Sequence, residues 1–206
     1  MANTKQKSNR TQGFPIRPDV IFEARISNRI LFRRLEGNGP TLNQRLFFIA
    51  ELLGGRGIPR KVIQSIQGGV AEAISSATNV ASAKVEKLKA VLVEKKVRLT
   101  ERQNHPVKTL ACTSSSPLFS DYISLVDTLD EAIWIIEGLA TARLIKHGQD
   151  EAHVREMQRV LAETDTRINA EYSRAMGVIK ADGKVNEVAV AMPIDKSVAQ
   201  SSEVGQ

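Results

Sequence analysis

Glu23, Arg25 and Ser27 alternate with Phe22, Ala24 and Ile26 in the stretch Val20 to Ser27. An extended chain turns successive side chains to opposite faces, so this spacing gathers a carboxylate, a guanidinium and a hydroxyl on one side. These are groups that read base edges in a DNA major groove, where an arginine grips the two guanine acceptors. The same pattern also suits an ordinary half-buried strand, so its surroundings matter. They are cationic. Arg29, Arg33 and Arg34 follow directly, and Pro59-Arg60-Lys61 opens a later helix. Free N–H groups at a helix start, with cations beside them, suit a backbone phosphate. Lys5, Lys7, Arg10 and Arg17 lie in an acid-free N-terminal segment closed by Gly13, Pro15 and Pro18, which reads as a mobile basic arm.

Charge is divided unevenly along the chain. Residues 1–108 hold 20 Lys and Arg against 8 Asp and Glu, and residues 109–206 hold 9 against 15. The formal net of +6 is therefore +12 followed by −6. Such a division suggests one end that meets a polyanion and one that packs or assembles. The cluster Lys84, Lys87, Lys89, Lys95, Lys96, Arg98 and Arg102 has interleaved glutamates. It reads first as a solvated helix face and second as a set of phosphate contacts.

Catalytic chemistry finds little to work with. His105, His147 and His153 have no metal-ligand spacing, and surface or capping roles suit them. Cys112 is a lone thiol in a strand-like run and reads as core filler. Asp127, Asp130 and Glu131 form an acidic group that reads as a solvated or dimer-facing surface. Gly54-Gly55-Arg56-Gly57 lacks the ending of a phosphate-binding loop and follows a helix rather than a strand. One cysteine excludes an internal disulfide framework, and no apolar run is long enough for a membrane helix. A cytoplasmic, non-enzymatic protein without cofactor or metal is expected.

Aromatics make up only 4% of the chain, so Ile, Leu, Val and Ala must build the core, which favours packed helices. After the first strand, a short helix over Asn28–Leu35 is expected to stop at Gly37-Asn38-Gly39-Pro40. Thr41 would then cap a helix through Leu53, ended by Gly54-Gly55. The stripe Ile63, Ile66, Val70, Ile74, Ala77, Ala81, Val85, Leu88, Leu92 averages 3.6 residues per step. It predicts a helix of roughly 40 residues and about 60 Å. That length suggests packing on a second subunit, with Gly68-Gly69 as a weak point. Val107–Thr113 is a second strand candidate. A helix with the stripe Phe119 to Leu144 and another from Asp150 to Met176 follow. An unstructured tail is expected from about Lys180.

A strand followed by two helices, with a free edge that a second copy can pair, is the layout of a ribbon-helix-helix dimer. The run Glu23-Ala24-Arg25-Ile26-Ser27-Asn28-Arg29-Ile30-Leu31-Phe32-Arg33-Arg34-Leu35 resembles the opening of the AcaB-type regulators of conjugative plasmids and integrative conjugative elements. The strand–loop–helix from Leu110 to Leu144 resembles them too, through Ser115-Ser116-Pro117-Leu118-Phe119, Leu125 to Ala132 and Thr141-Ala142-Arg143. The likeness spans roughly residues 20–175. Ile58-Pro59-Arg60 stands where many relatives open a helix with tryptophan and tyrosine. The resemblance implies a mostly helical, ribbon-helix-helix-like transcription factor that activates transfer genes.

The expected organisation is a basic arm (1–18), a ribbon-helix-helix-like DNA-binding region with the long helix (19–104), an acidic helical oligomerisation region (105–179) and a tail (180–206). The expected fold is mainly α with one or two short strands. The expected partners are double-stranded DNA, a second copy or higher homo-oligomer, and transcription machinery, with no membrane. Glu23, Arg25 and Ser27 are the base-contact candidates. Lys5, Lys7, Arg10, Arg17, Arg29, Arg33, Arg60 and Lys61 are the phosphate-contact candidates. The alternative is a non-catalytic accessory or assembly protein of a conjugation system, whose basic half meets an acidic protein partner.

Overall fold

A computed structural model describes residues 20–100, 108–146 and 148–181. The chain is mainly helical, with two strands: β1 (Val20–Ile26), α1 (Arg29–Phe47), α2 (Arg60–Glu94), β2 (Lys108–Ser114), α3 (Pro117–Thr141) and α4 (Gln149–Ala181). The arm cations Lys5, Lys7, Arg10 and Arg17, His105, His147, Arg102 and all of the expected tail after Ala181 lie outside the described residues.

The alternation in β1 is realised. Ala24 and Ile26 are buried, Phe22 is half-buried, and Glu23 and Arg25 face solvent. β1 does not need a second copy to find a partner: it pairs antiparallel with β2 of the same chain, with Glu23 opposite Ala111 and Arg25 opposite Thr109. β2 runs one residue past the expected Thr113, to Ser114. The Ser114 hydroxyl donates to Asn43 Oδ1 at 2.6 Å, and the Asn43 amide donates to the Thr113 carbonyl at 2.8 Å, so α1 holds the end of β2.

The expected stop at Gly37-Asn38-Gly39-Pro40 is absent, and Thr41 is an interior residue rather than a cap. α1 runs unbroken from Arg29 to Phe47, with Pro40 inside it. Leu31, Leu35, Leu42 and Leu46 are all buried, and their spacing keeps one helical stripe in phase across the turn-like residues. That burial outweighs the roughly 3 kcal/mol a helical proline costs and the roughly 1 kcal/mol of each glycine. Gly39 belongs to the stripe: an added Cβ would stand 3.2 Å from Leu35 Cδ1. The cap is Asn28, whose side-chain oxygen accepts from the Ile30 and Leu31 amides at 3.0 and 3.2 Å. Beyond Phe47 come a π-helical turn (Phe48–Leu52) and a 3-10 turn (Leu53–Arg56). Gly57, at φ 73°, reverses the chain, not Gly54-Gly55.

α2 spans 35 residues, about 52 Å. Its buried stripe is covered by α3 and α4 of its own chain, so its length does not call for a second subunit. Gly68-Gly69 does not break it. Gly69 gives room to Glu171, whose Oε1 would stand 2.8 Å from an added Cβ. Lys84–Glu156 and Ser65–Arg174 contacts set α2 antiparallel to α4. The Lys89–Glu131 pair and Leu99 against Gly138 set it parallel to α3. α3 starts as expected at Pro117 but ends at Thr141, leaving Leu144 exposed. α4 starts one residue before Asp150, whose side chain accepts from the Gly148 amide, and continues past Lys180 to Ala181.

One apolar core runs from Ala24 to Ile179. A polar knot crosses it. Asp165 of α4, almost fully buried, accepts from the Tyr122 hydroxyl of α3 at 2.8 Å and pairs with Arg34 of α1 at 2.8 Å. Burial and the Asp165 charge push the Tyr122 phenol far above its ordinary value, so it remains a donor. Tyr122→Phe and Asp165→Asn are each expected to lower stability by about 1–3 kcal/mol. Because they share one hydrogen bond, the double variant should lose less than the sum in urea denaturation.

Candidate nucleic-acid interface

Opposed residues on antiparallel strands share a face. The outer face of the β1–β2 ribbon therefore carries the pairs Ile21–Thr113, Glu23–Ala111 and Arg25–Thr109. Thr109, Ala111 and Thr113 are short, and Arg25 and Glu23 rise above them, exposed. Arg25 has no ion-pair partner among the described residues. A two-stranded ribbon is of a size that enters a major groove, and a long guanidinium on a floor of small side chains has room to reach a base edge.

Opposite the end held by Asn43, the ribbon is fixed to α3. Asp130, fully buried on α3, accepts from the Ser27 amide at 2.9 Å, the Ser27 hydroxyl at 2.8 Å and the Asn28 amide at 2.8 Å. This corrects the reading of Asp130 as part of a solvated or dimer-facing acidic surface: it is an interior anchor. Its neighbour Glu131 is engaged by Lys89 at 3.0 Å. The Ser27 hydroxyl is held by Asp130 rather than free to face outward with Arg25. About two turns along α3 from Asp130, burial pushes the Glu137 carboxyl upward, the Asp130 charge adds to this, and the Asn28 side chain opposes it.

Arg29 and Arg33 are exposed on successive turns of α1, on the same side as the junction. Arg34 points inward to Asp165 and is not available to a ligand. Lys108 pairs in register with Ile26 and lays its ammonium 5.0 Å above the Phe32 ring. Thus Arg25, Arg29 and Lys108 all flank the β1–α1 junction, Arg25 on the outer face of the ribbon and Lys108 on the Ile26 face, with Arg33 one turn further along α1. Arg60 and Lys61 do not. Lys89 is level with Glu131, next to the Asp130 anchor, and Arg60 lies 29 residues before it on α2, about 43 Å along the axis. The α2 start lies instead by the far end of α4, where Arg174 reaches Ser65.

The basic stripe of α2 is partly neutralised within the fold. Lys84 pairs with Glu156 at 2.8 Å, which together with His153 holds that carboxyl below the usual range. The acidic half of the sequence thus folds onto the basic half. Past Glu94 the pattern changes. Lys96 takes a left-handed backbone, φ 55°, and the Val97 amide donates to Leu92 at 2.9 Å while the Lys96 amide donates to Val93 at 3.1 Å. α3 ends the same way at Arg143, φ 57°, with Leu144 to Leu139 and Arg143 to Ala140, both at 2.9 Å. Glycine is the usual residue there, and a side chain costs about 1–2 kcal/mol. A cation at this position offsets part of that through the negative end of the helix dipole.

Elsewhere, Cys112 is half-buried opposite Phe22, and burial raises its thiol pKa, the reverse of an activated nucleophile. Among the described residues no three His, Cys, Asp or Glu side chains group as a metal site, and no helix is long and apolar enough to cross a membrane.

No family model matches the chain, and no curated protein matches it. Among solved structures, selenomethionine-containing AcaB from uropathogenic E. coli has the same fold, with a TM-score of 0.78 over 86% of this chain and 91% of that one. The two are 17% identical. The likeness is one of fold.

Sequence reasoning missed Asp130 as an anchor. Its signal was an aspartate at an otherwise apolar helical phase, between Leu129 and Ile133. Asp130→Ala leaves two amides and a hydroxyl without their acceptor and is expected to lower stability by about 2–4 kcal/mol. Hydrogen exchange should quicken first at β1 and the start of α1.

Proposed function

We propose that the protein is a sequence-specific, double-stranded DNA-binding transcriptional regulator that acts as a homodimer and activates conjugative transfer genes. The observation that carries the reading is the outer ribbon face, where an exposed Arg25, without an ion-pair partner among the described residues, stands on small side chains, with Arg29 and Lys108 beside the same junction. In this reading Arg25 reads a guanine and Glu23 a cytosine, while Arg29, Arg33 and Lys108 neutralise phosphates. Lys5, Lys7, Arg10 and Arg17 add affinity without sequence preference. The resemblance to AcaB-type regulators and the fold shared with AcaB support it. Function is taken to be binding rather than catalysis.

A second copy has a place to attach. Among the described residues β1 has one strand neighbour, β2, and its other edge begins with the exposed Val20 and Ile21. Open edges are satisfied by pairing across a two-fold axis. Transcription machinery would meet the remaining helical surface.

Selection of duplexes by the purified protein, followed by footprinting, should return a preferred site. Arg25→Ala is expected to lower discrimination between that site and random DNA by about 1–3 kcal/mol. Equal losses on both duplexes would argue against base readout. Removing residues 1–18 should weaken both alike and flatten the salt dependence. Sedimentation should give a dimer; a monomer that ignores duplexes in dilute buffer would sink the proposal.

A further inference from the structure

Resting on the DNA-binding reading, we infer that the paired ends of α2 and α3 form a phosphate-binding surface that extends the grip of the ribbon. Lys96, Arg98 and Arg143 are its contacts. Three observations converge on this end of the bundle. Asp130, at the middle of α3, holds the β1–α1 junction, Glu137 two turns on meets the Asn28 side chain, and the next residue, Gly138, packs against Leu99 just past α2. The α2 end, the α3 end, Arg29 and Lys108 are therefore gathered around one stretch of α3. The charges here are unbalanced. Lys96, Arg98 and Arg143 are exposed without an ion-pair partner among the described residues, whereas of the nearby carboxylates Glu94 is held by Lys95 at 2.7 Å, Glu131 by Lys89, and Glu137 meets the Asn28 side chain. Both helix ends also place their cation in the left-handed position, on the tip of the helix rather than along its side.

Helix carboxyl ends carry about half a negative charge each, which by itself repels phosphate. Three full positive charges, with Arg29 and Lys108 close by, outweigh two such ends. A surface of this kind suits the regularly spaced phosphates of a duplex, and it occupies the end where the ribbon is anchored. The start of α2, with Arg60 and Lys61, is a full helix length away, about 50 Å. The occupant is thus the backbone of the same DNA that the ribbon reads. The exposed Val93 and Leu144 beside the cations make a protein contact the competing assignment.

The test is the salt dependence of duplex affinity for the full chain, by fluorescence anisotropy on specific and random duplexes. The triple variant Lys96→Asn, Arg98→Gln, Arg143→Asn keeps residues that tolerate the left-handed backbone at the two caps. Loss of three phosphate contacts should reduce the slope of log K against log salt by about 2.7 and lower affinity on both duplexes on the order of 100-fold at about 0.15 M salt. Arg60→Gln with Lys61→Gln should leave the slope unchanged. An unaltered slope in the folded triple variant, or a slope lost in the Arg60 and Lys61 variant instead, overturns the inference while leaving duplex binding by the parent protein intact. So does a triple variant that keeps its slope but no longer self-associates. If the parent protein does not bind duplexes at all, the broader functional reading fails instead.

Discussion

A buried carboxylate ties the strand-to-helix end of the ribbon to the helical body. Asp130 takes three hydrogen bonds from Ser27 and Asn28, where the chain passes from strand to helix. Two-stranded ribbons have little stability of their own, so their orientation depends on what holds their ends. Here one end is fixed to the middle of α3, and the other is held by Asn43 of α1. Asn28 is both a donor to Asp130 and the cap of α1, so the same two residues set the direction of the strand and the start of the helix. The exposed arginines on either side inherit their positions from that arrangement.

The division of charge along the sequence has two physical outcomes. Much of it is internal pairing: Arg34 with Asp165, Lys84 with Glu156, Lys89 with Glu131. Charges that alternate in sequence between halves become neighbours when α3 and α4 lie along α2. Among the described residues, cations without an ion pair remain at both ends of the bundle: Arg25, Arg29, Lys96 and Arg143 toward the ribbon, and Arg60 and Lys61 at the start of α2. A polyanion meeting this protein would sense that remainder, not the total of +6.

The periodic parts of the fold were legible in the residues. Alternation at Phe22, Ala24 and Ile26 gave the inward face of β1, and the 3.6-residue stripe from Ile63 gave the long helix, since local periodicity records which face will be buried. The turn-like Gly37-Asn38-Gly39-Pro40 misled because local propensity is weak beside the burial of Leu31, Leu35, Leu42 and Leu46 in one line. The strand partner was not legible. An alternating strand shows that a neighbour is needed, and 81 residues separate Ile26 from its opposite, Lys108. Nothing in either segment distinguishes that pairing from one between two copies.

Of the candidate site, residue types determined the chemistry: a guanidinium on the polar face of a strand, with cations following it. Helix, strand and solvent-facing positions were also set locally, because they follow from period and side-chain polarity. Tertiary structure decided which cations act together. It placed Lys108 across the ribbon at the junction that Arg25 and Arg29 flank, turned Arg34 inward, carried Arg60 and Lys61 to the opposite end, and set the ends of α2 and α3 side by side. These outcomes depend on the parallel and antiparallel directions of helices far apart in sequence. Such directions arise from packing of apolar faces and a few buried polar contacts, which no local pattern encodes.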